Sequence, residues 1–301
     1  MKQKTCIVIT GPTAAGKTAV AIQLARTFGT DIISADSRQC FKELSIGVAK
    51  PSEEELQSIT HYFINSHSIH DEVNAMVFEQ YALQAAEKIF QEKDIAIMVG
   101  GTGFYIKAFC EGLDDMPPAP GAVREAIQAQ YEKQGLDWLQ QQVRQQDPLY
   151  YKTGETQNPQ RLIRALEVKQ VTGRSIRTFQ QGRKAERDFR IIKTGLELPR
   201  EELYSRINRR VEGMMEKGLE NEVKQLLPFR QLNALQTVGY SELFEYFDKR
   251  ISLDEAVDRI KTNTRHYAKR QLTWFKKDSC IQWFSPQAVE ALTRYCREQI
   301  A

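Results

Sequence analysis

A chain of 301 residues, 41% hydrophobic and 27% charged, has the length for one large domain or a core with a smaller insertion, and the composition of a globular enzyme rather than a disordered or fibrous protein. A net charge of +3 excludes bulk charge as an argument for a polyanionic partner, so local clustering has to supply one. Cys6, Cys40, Cys110, Cys280 and Cys296 are odd in number and form no CxxC pair, which speaks against a disulfide framework or zinc module and for reduced thiols.

The apolar run Cys6–Thr10 predicts a short buried strand, and Gly16–Phe28 a helix. No leader or membrane span is read before that strand, so a cytoplasmic location is expected. Asp31–Ser34 predicts a second strand. His67 and His70, three apart, have no further ligand at metal spacing and read as loop or surface residues. Ala75–Glu92 carries apolar residues at helical spacing, and Ile95–Val99 predicts a third strand that runs into Gly100-Gly101-Thr102-Gly103 and another helix. Plain apolar strands alternating with helices imply an α/β fold, a parallel sheet covered on both faces. The pattern changes at Met116-Pro117-Pro118-Ala119-Pro120 and becomes helical and rich in Gln and Arg. Residues 117–193 are therefore expected to form a helical insertion, between a first core segment at 1–116 and a mainly helical completion at 194–301. Within the latter, Arg200–Lys217, Leu253–Lys277 and a segment after Pro286 predict helices.

Gly11, Pro12, Thr13, Ala14, Ala15, Gly16, Lys17 and Thr18 fit GxxxxGK[ST] between a predicted strand and a predicted helix, the context that makes a P-loop credible. Its backbone N–H groups and the helix N-terminus would cradle a phosphate, Lys17 would add a mobile charge, and the Thr18 hydroxyl is the expected Mg²⁺ ligand. No carboxylate follows Val99, where a γ-phosphate enzyme usually positions its metal. Asp36, at the end of the second strand, reads equally as a base facing the bound phosphate or as an N-cap.

The segments GPTAAGKT at 11–18, ISADSRQ at 33–39, IGVAKP at 46–51, VGGTGFYI at 99–106, NPQRLIRALEVKQVTG at 158–173, LYSRINRRV at 203–211, VGY at 238–240 and TRHYAKRQLTWF at 264–275 occur in order over nearly the whole chain. Together they resemble the tRNA dimethylallyltransferase (isopentenyltransferase) family, in its compact bacterial form. The resemblance implies a P-loop NTPase-like core with a helical insertion. It implies transfer of a dimethylallyl group from its diphosphate to N6 of the adenosine 3′ of the anticodon, with the P-loop holding the donor's diphosphate. It further implies Asp36 as base or orienter of the adenine amine, Thr13 near the reacting atoms, and Lys17, Thr18 with Mg²⁺, and Arg206 around the leaving diphosphate. Arg210 is the alternative arginine, expected to be solvated on its helix. Asp36, Ser37, Arg38 and Gln39, and Gln160, Arg161, Leu162, Ile163 and Arg164, match stretches that grip tRNA. Thr102 and Arg124 match single tRNA-contacting positions. Val48 and Phe104 depart from the usual pattern, which has a small hydroxyl residue and Leu there.

Charge distribution supports an RNA partner. From Gln160 to Lys193 ten cations (Arg161, Arg164, Lys169, Arg174, Arg177, Arg183, Lys184, Arg187, Arg190, Lys193) face three acids, a local net charge of +7. Lys261, Arg265, Lys269 and Lys276 fall on one helical face, with Ile260, Tyr267 and Trp274 opposite as expected core. The target base has to leave its stack; Phe104, Tyr105 and Phe109 are candidate channel residues, with core packing expected for at least two. The expected partners are tRNA and dimethylallyl diphosphate, and the expected state a monomer. A P-loop kinase using ATP, or a non-catalytic RNA-binding module in which Asp36 has no role, are the alternatives.

Overall fold

The computed structural model describes residues 3–182 and 184–300 and divides into two compact units, Glu111–Ala185 and the remainder. The larger unit is built on a six-stranded parallel sheet. Its strands are β1 (Thr5–Thr10), β2 (Ile32–Ala35), β3 (His61–Tyr62), β4 (Ile95–Gly100), β5 (Arg190–Leu196) and β6 (Gln282–Phe284), in the order β3-β2-β4-β1-β5-β6. β1 is buried throughout and pairs on both sides, Ile7 with Ile97 of β4 and with Ile192 of β5. A strand sealed by neighbours and helices has no solvated face, which is why TCIVIT is apolar without alternation. Because β5 starts at Arg190, the insertion ends earlier than the expected Lys193; Lys193 lies inside the strand and pairs with Asp278 at 2.7 Å.

The helices covering this sheet are α1 (Lys17–Phe28), α2 (Glu53–Ser58), α3 (Ala75–Glu92) and α4 (Gly103–Glu111) from the first segment. Local chemistry sets their ends. Gly29 closes α1 in the left-handed region (φ 61°), and the Asn74 side chain accepts from the N–H groups of Met76 and Val77 at the start of α3. On one face Val20, Leu24, Ile97, Leu292 and Cys296 pack together.

The smaller unit consists of α5 (Gly121–Gln146, interrupted at Gly135), α6 (Pro148–Thr153) and α7 (Pro159–Thr172). Asn158 caps α7 and Pro159 occupies its first turn. Leu139, Val143, Tyr150, Leu162, Ile163 and Leu166 form its core, so this unit has a hydrophobic centre of its own. Asp147 is buried there, accepting from the Tyr150 N–H at 3.0 Å and the Ser175 hydroxyl at 2.8 Å.

The chain then adds α8 (Arg200–Glu216), α9 (Leu219–Leu226), α10 (Ser241–Phe247), α11 (Leu253–Phe275) and α12 (Val289–Ile300) to the larger unit. Among the described residues no helix is long and apolar enough to cross a membrane. All strands of the sheet run parallel, so their carboxyl ends share one edge. Those added before β5 lie on one side of β1 and those added later on the other, which puts the end of β1 at the crevice where ligands bind in open α/β sheets.

Candidate active site

The turn after β1 wraps tightly because Gly11 sits at φ 141° with its Cα against β5; a Cβ there would meet the Leu196 carbonyl oxygen at 2.6 Å. Gly16 caps α1 at φ 89°, which turns the N-terminus of α1 toward a cavity of about 430 Å³. Thr13, Lys17, Thr18, Asp36, Arg206 and Arg210 all line that cavity.

Lys17 curls back on the loop, its Nζ donating to the Pro12 carbonyl at 2.7 Å. Burial, and then the charge of Arg210, pull its pKa down to about 7 against the opposing pull of Asp36. An anion in the loop would reverse that balance and restore the charge. The Thr18 hydroxyl makes no hydrogen bond with the described residues and faces the same space, an oxygen donor free for a hard cation.

Asp36 caps its turn and also stands on the cavity wall. Its Oδ1 accepts from the N–H groups of Arg38 (2.9 Å) and Gln39 (3.2 Å), fixing the turn, while the carboxylate lines the cavity. The neighbouring residues brace this turn. Ser37 donates its N–H to Thr102 Oγ1 at 3.1 Å, and Arg38 donates to the carbonyls of Asn233 (2.9 Å) and Gln236 (3.4 Å). Gln39 donates to the carbonyls of Val48 (3.2 Å) and Ala49 (3.1 Å). Position 48 thus meets Gln39 through its backbone carbonyl.

Both arginines of α8 turn to the cavity, one helical turn apart. Arg206 pairs with Glu202 at 2.8 Å, and its Nη1 would lie 3.6 Å from a Cβ on Gly16. The expectation that Arg210 is solvated on its helix is overturned: it is half-buried at the cavity wall, where desolvation lowers its pKa and the charge of Asp36 opposes that. The cause is the direction of α8: its stripe Leu203, Ile207, Val211 is fixed in the core, and Arg210, seven residues after Leu203, lies almost on the same face at the edge of that stripe.

Several cavity residues were not singled out from the sequence. Gln271 on α11 is buried and bridges the two phosphate-side turns, its Oε1 accepting from the Thr13 N–H at 2.8 Å and its Nε2 donating to the Gly101 carbonyl at 2.9 Å. Lys50 donates to the Phe41 carbonyl (2.6 Å) and to Asn65 Oδ1 (2.5 Å). His61 hydrogen-bonds the Ile59 carbonyl through Nδ1 at 2.8 Å, leaving Nε2 buried without a partner. Tyr267 lines the cavity, and neither it nor Trp274 is core: they are 36% and 41% exposed. Ile260, expected on the same stripe, is buried as expected, but further along α11 the stripe reaches the cavity wall at Tyr267 and solvent at Trp274. Tyr105 and Phe109 are buried and Phe104 is exposed.

The basic surfaces are less open than their sequence suggests. On α11, Lys261 pairs with Glu212 (2.8 Å), Lys276 with Glu197 (2.6 Å), and Arg265 contacts Asn208 and Thr262. Arg187 is held by Glu79 and by the carbonyls of Ala108 and Phe109. Within the smaller unit Arg124 and Arg164 both pair with the buried Glu167, and Arg124 also donates to Gln160. Leu162 and Ile163 are fully buried, so their side chains cannot grip RNA; they hold α7 while Arg161 stays exposed. Arg183 lies outside the described residues.

The family model described as IPP transferase matches residues 39–278. The chain is 46% identical over 297 residues to the tRNA dimethylallyltransferase of Cytophaga hutchinsonii (99% of this chain, 98% of the relative) and 49% identical over 278 residues to that of Christiangramia forsetii (92% of each). Its structure resembles that of the tRNA isopentenylpyrophosphate transferase of Bacillus halodurans, with a TM-score of 0.73, 31% identity, and 99% and 97% of the two chains covered. It also resembles a eukaryotic dimethylallyltransferase acting on tRNA, with a TM-score of 0.74, 28% identity, and 90% and 70% covered.

Proposed function

Since the chain belongs to the IPP transferase family and its reaction is that of a tRNA dimethylallyltransferase, we propose that the cavity at the end of β1 carries out the transfer with the residues that line it. The observation behind this reading is the convergence of the P-loop, Asp36 and two arginines on one space. The diphosphate of dimethylallyl diphosphate sits against the N–H groups of Gly11–Thr18 and the N-terminus of α1, with Lys17, Arg206 and Arg210 around it. The adenine amine attacks C1 of the prenyl group, the C1–O bond breaks, and its electron pair leaves on diphosphate. Asp36 accepts a hydrogen bond from the amine and takes its proton as the C–N bond forms. Mg²⁺ would be held at the Thr18 hydroxyl and would offset charge on the leaving diphosphate. The adenosine reaches the cavity by leaving its stack, and Arg161 on the smaller unit contacts the RNA backbone. A monomer working in the cytoplasm completes this reading.

The test is mass analysis of an unmodified anticodon stem-loop incubated with protein, Mg²⁺ and dimethylallyl diphosphate, beside a tube holding ATP instead. One five-carbon unit is gained, and Asp36→Ala lowers the rate about 10²–10⁴-fold while donor binding persists. Phosphate transfer from ATP without prenyl transfer would replace this reading with a kinase.

A further inference from the structure

Large aromatic side chains stand in solvent beside the Gly100–Gly103 turn, of which Gly100 and Gly101 line the cavity. Phe104 is 51% exposed, Trp274 41% and Tyr267 36%. On α11, Tyr267, Gln271 and Trp274 occupy i, i+4 and i+7, a single stripe. The middle member is buried against Gly101 and Thr13, so the two aromatics flank the Gly100–Gly103 turn from one helical turn on either side. Trp274 lies directly on Gly103, where a Cβ would meet indole Cδ1 and Nε1 at 2.3 Å. Phe104 is the next residue, and Tyr267 shares the cavity wall with Gly100 and Gly101. The turn thus seats one aromatic of α11, has a second beside it and offers a third of its own.

Cations accompany these rings. Arg270 lies over the Tyr267 ring, 5.8 Å from its centroid, and Lys107 is exposed one turn along α4 from Phe104. Neither has an ion-pair partner among the described residues, unlike Lys261 and Lys276, which pair with Glu212 and Glu197. Solvated π-faces beside unpaired cations are the composition of a surface for unpaired nucleobases and their phosphates, and it continues from a cavity already lined by Tyr267.

We propose that Trp274 and Phe104 form a stacking platform for the nucleobases adjacent to the target adenosine. The proposal rests on the reading of the cavity as the adenine's destination: a base that leaves its stack uncovers the faces of its neighbours, and the platform covers them. Phe104, where Leu is usual, gives this chain a second aromatic face.

Steady-state transfer to a stem-loop provides the test. Trp274→Ala and Phe104→Ala should each raise KM for the stem-loop about tenfold, leaving kcat and KM for the donor within about twofold. On a stem-loop with abasic nucleotides flanking the target, the native enzyme should show a comparable loss and the variants little more. In a Trp138→Phe/Trp283→Phe protein, Trp274 is the remaining tryptophan; its fluorescence should be quenched by the intact loop and not by the abasic one. Unchanged KM in both alanine variants, or a full additional loss on the abasic loop, overturns the platform. Phe104 is half exposed, so its variant tests the idea even if Trp274→Ala misfolds. Failure of the native enzyme to prenylate any stem-loop sinks the cavity reading instead, while the quenching titration, which needs no turnover, still decides whether Trp274 meets bases.

Discussion

Arg206 and Arg210 show how one helical turn separates two kinds of arginine. Arg206 has Glu202 at hand to neutralise it, whereas Arg210 is desolvated with only the charge of Asp36 opposing. Leaving-group stabilisation is strongest where water is excluded, so Arg210→Gln should lower kcat about 10²–10³-fold, and Arg206→Gln less, in single-turnover assays at saturating donor. Gln271→Leu should act differently. It strips partners from the Thr13 N–H and the Gly101 carbonyl, about 1–3 kcal/mol for each buried group left unsatisfied, and should raise KM for the donor before it touches kcat. The P-loop and Asp36 were legible in the sequence because each is a local motif at a strand end, where topology alone dictates the edge. Gln271 and Lys50 were not, because their roles depend on which backbone groups of other elements they face, and Arg210 was legible only as the alternative arginine, because how α8 sits on the cavity is not written in its own sequence. Tyr267 and Trp274 were misplaced for a related reason: periodicity finds an apolar stripe but does not say whether it meets a core or a rim.

Among the elements, the Ser45–Lys50 turn depends most on a distant partner. One carboxylate on α9, Glu222, accepts from the N–H groups of Ser45 (3.1 Å), Ile46 (2.7 Å) and Gly47 (3.0 Å) and from the Tyr240 hydroxyl (2.6 Å). Burial, and then Glu222 itself, push the Tyr240 hydroxyl far above the usual phenol range, so it stays a donor at any working pH. Gly47 lies on the Tyr240 ring, which a Cβ would meet at 2.6 Å. Gly47→Ala should therefore displace Lys50 from the cavity wall and cut kcat/KM at least tenfold. The midpoint of urea unfolding should move much less, because the sheet is untouched. In α7 the opposite outcome is expected. Leu162→Ala should cost about 2–5 kcal/mol of stability, measured by denaturant unfolding, and weaken RNA binding only through unfolding of its unit. Leu162 and Ile163 are not separable from their arginine neighbours by motif, which matches a contiguous stretch; a helix presents such a stretch to several directions at once.

At the scale of the molecule, the ten-cation run was legible as charge but not as surface. Glu79 and Asp278 neutralise Arg187 and Lys193 from positions the local count does not include, and Glu167, inside the run, holds Arg164. What stays exposed should still dominate encounter with RNA. The KM for a stem-loop should rise steeply with added salt, and Arg161→Ala should reduce the slope of log KM against log salt by about one without altering donor KM. The order of the sheet was legible only as parallel, since strand adjacency is set by crossovers the local pattern does not encode. That order has a consequence for the cell that makes the chain. The phosphate loop leans on Leu196, in a strand synthesised about ninety residues after β4 is finished. At ribosomal speed this delay lasts roughly 5–20 s. Throughout it the nascent β1 has one bare edge, a template for unwanted pairing, while the intervening helices, which have their own core, are free to fold. Codon choice across Glu111–Ala185 therefore sets how long that edge waits, and slow synonymous codons there should lower the yield of active enzyme without changing a single contact in it.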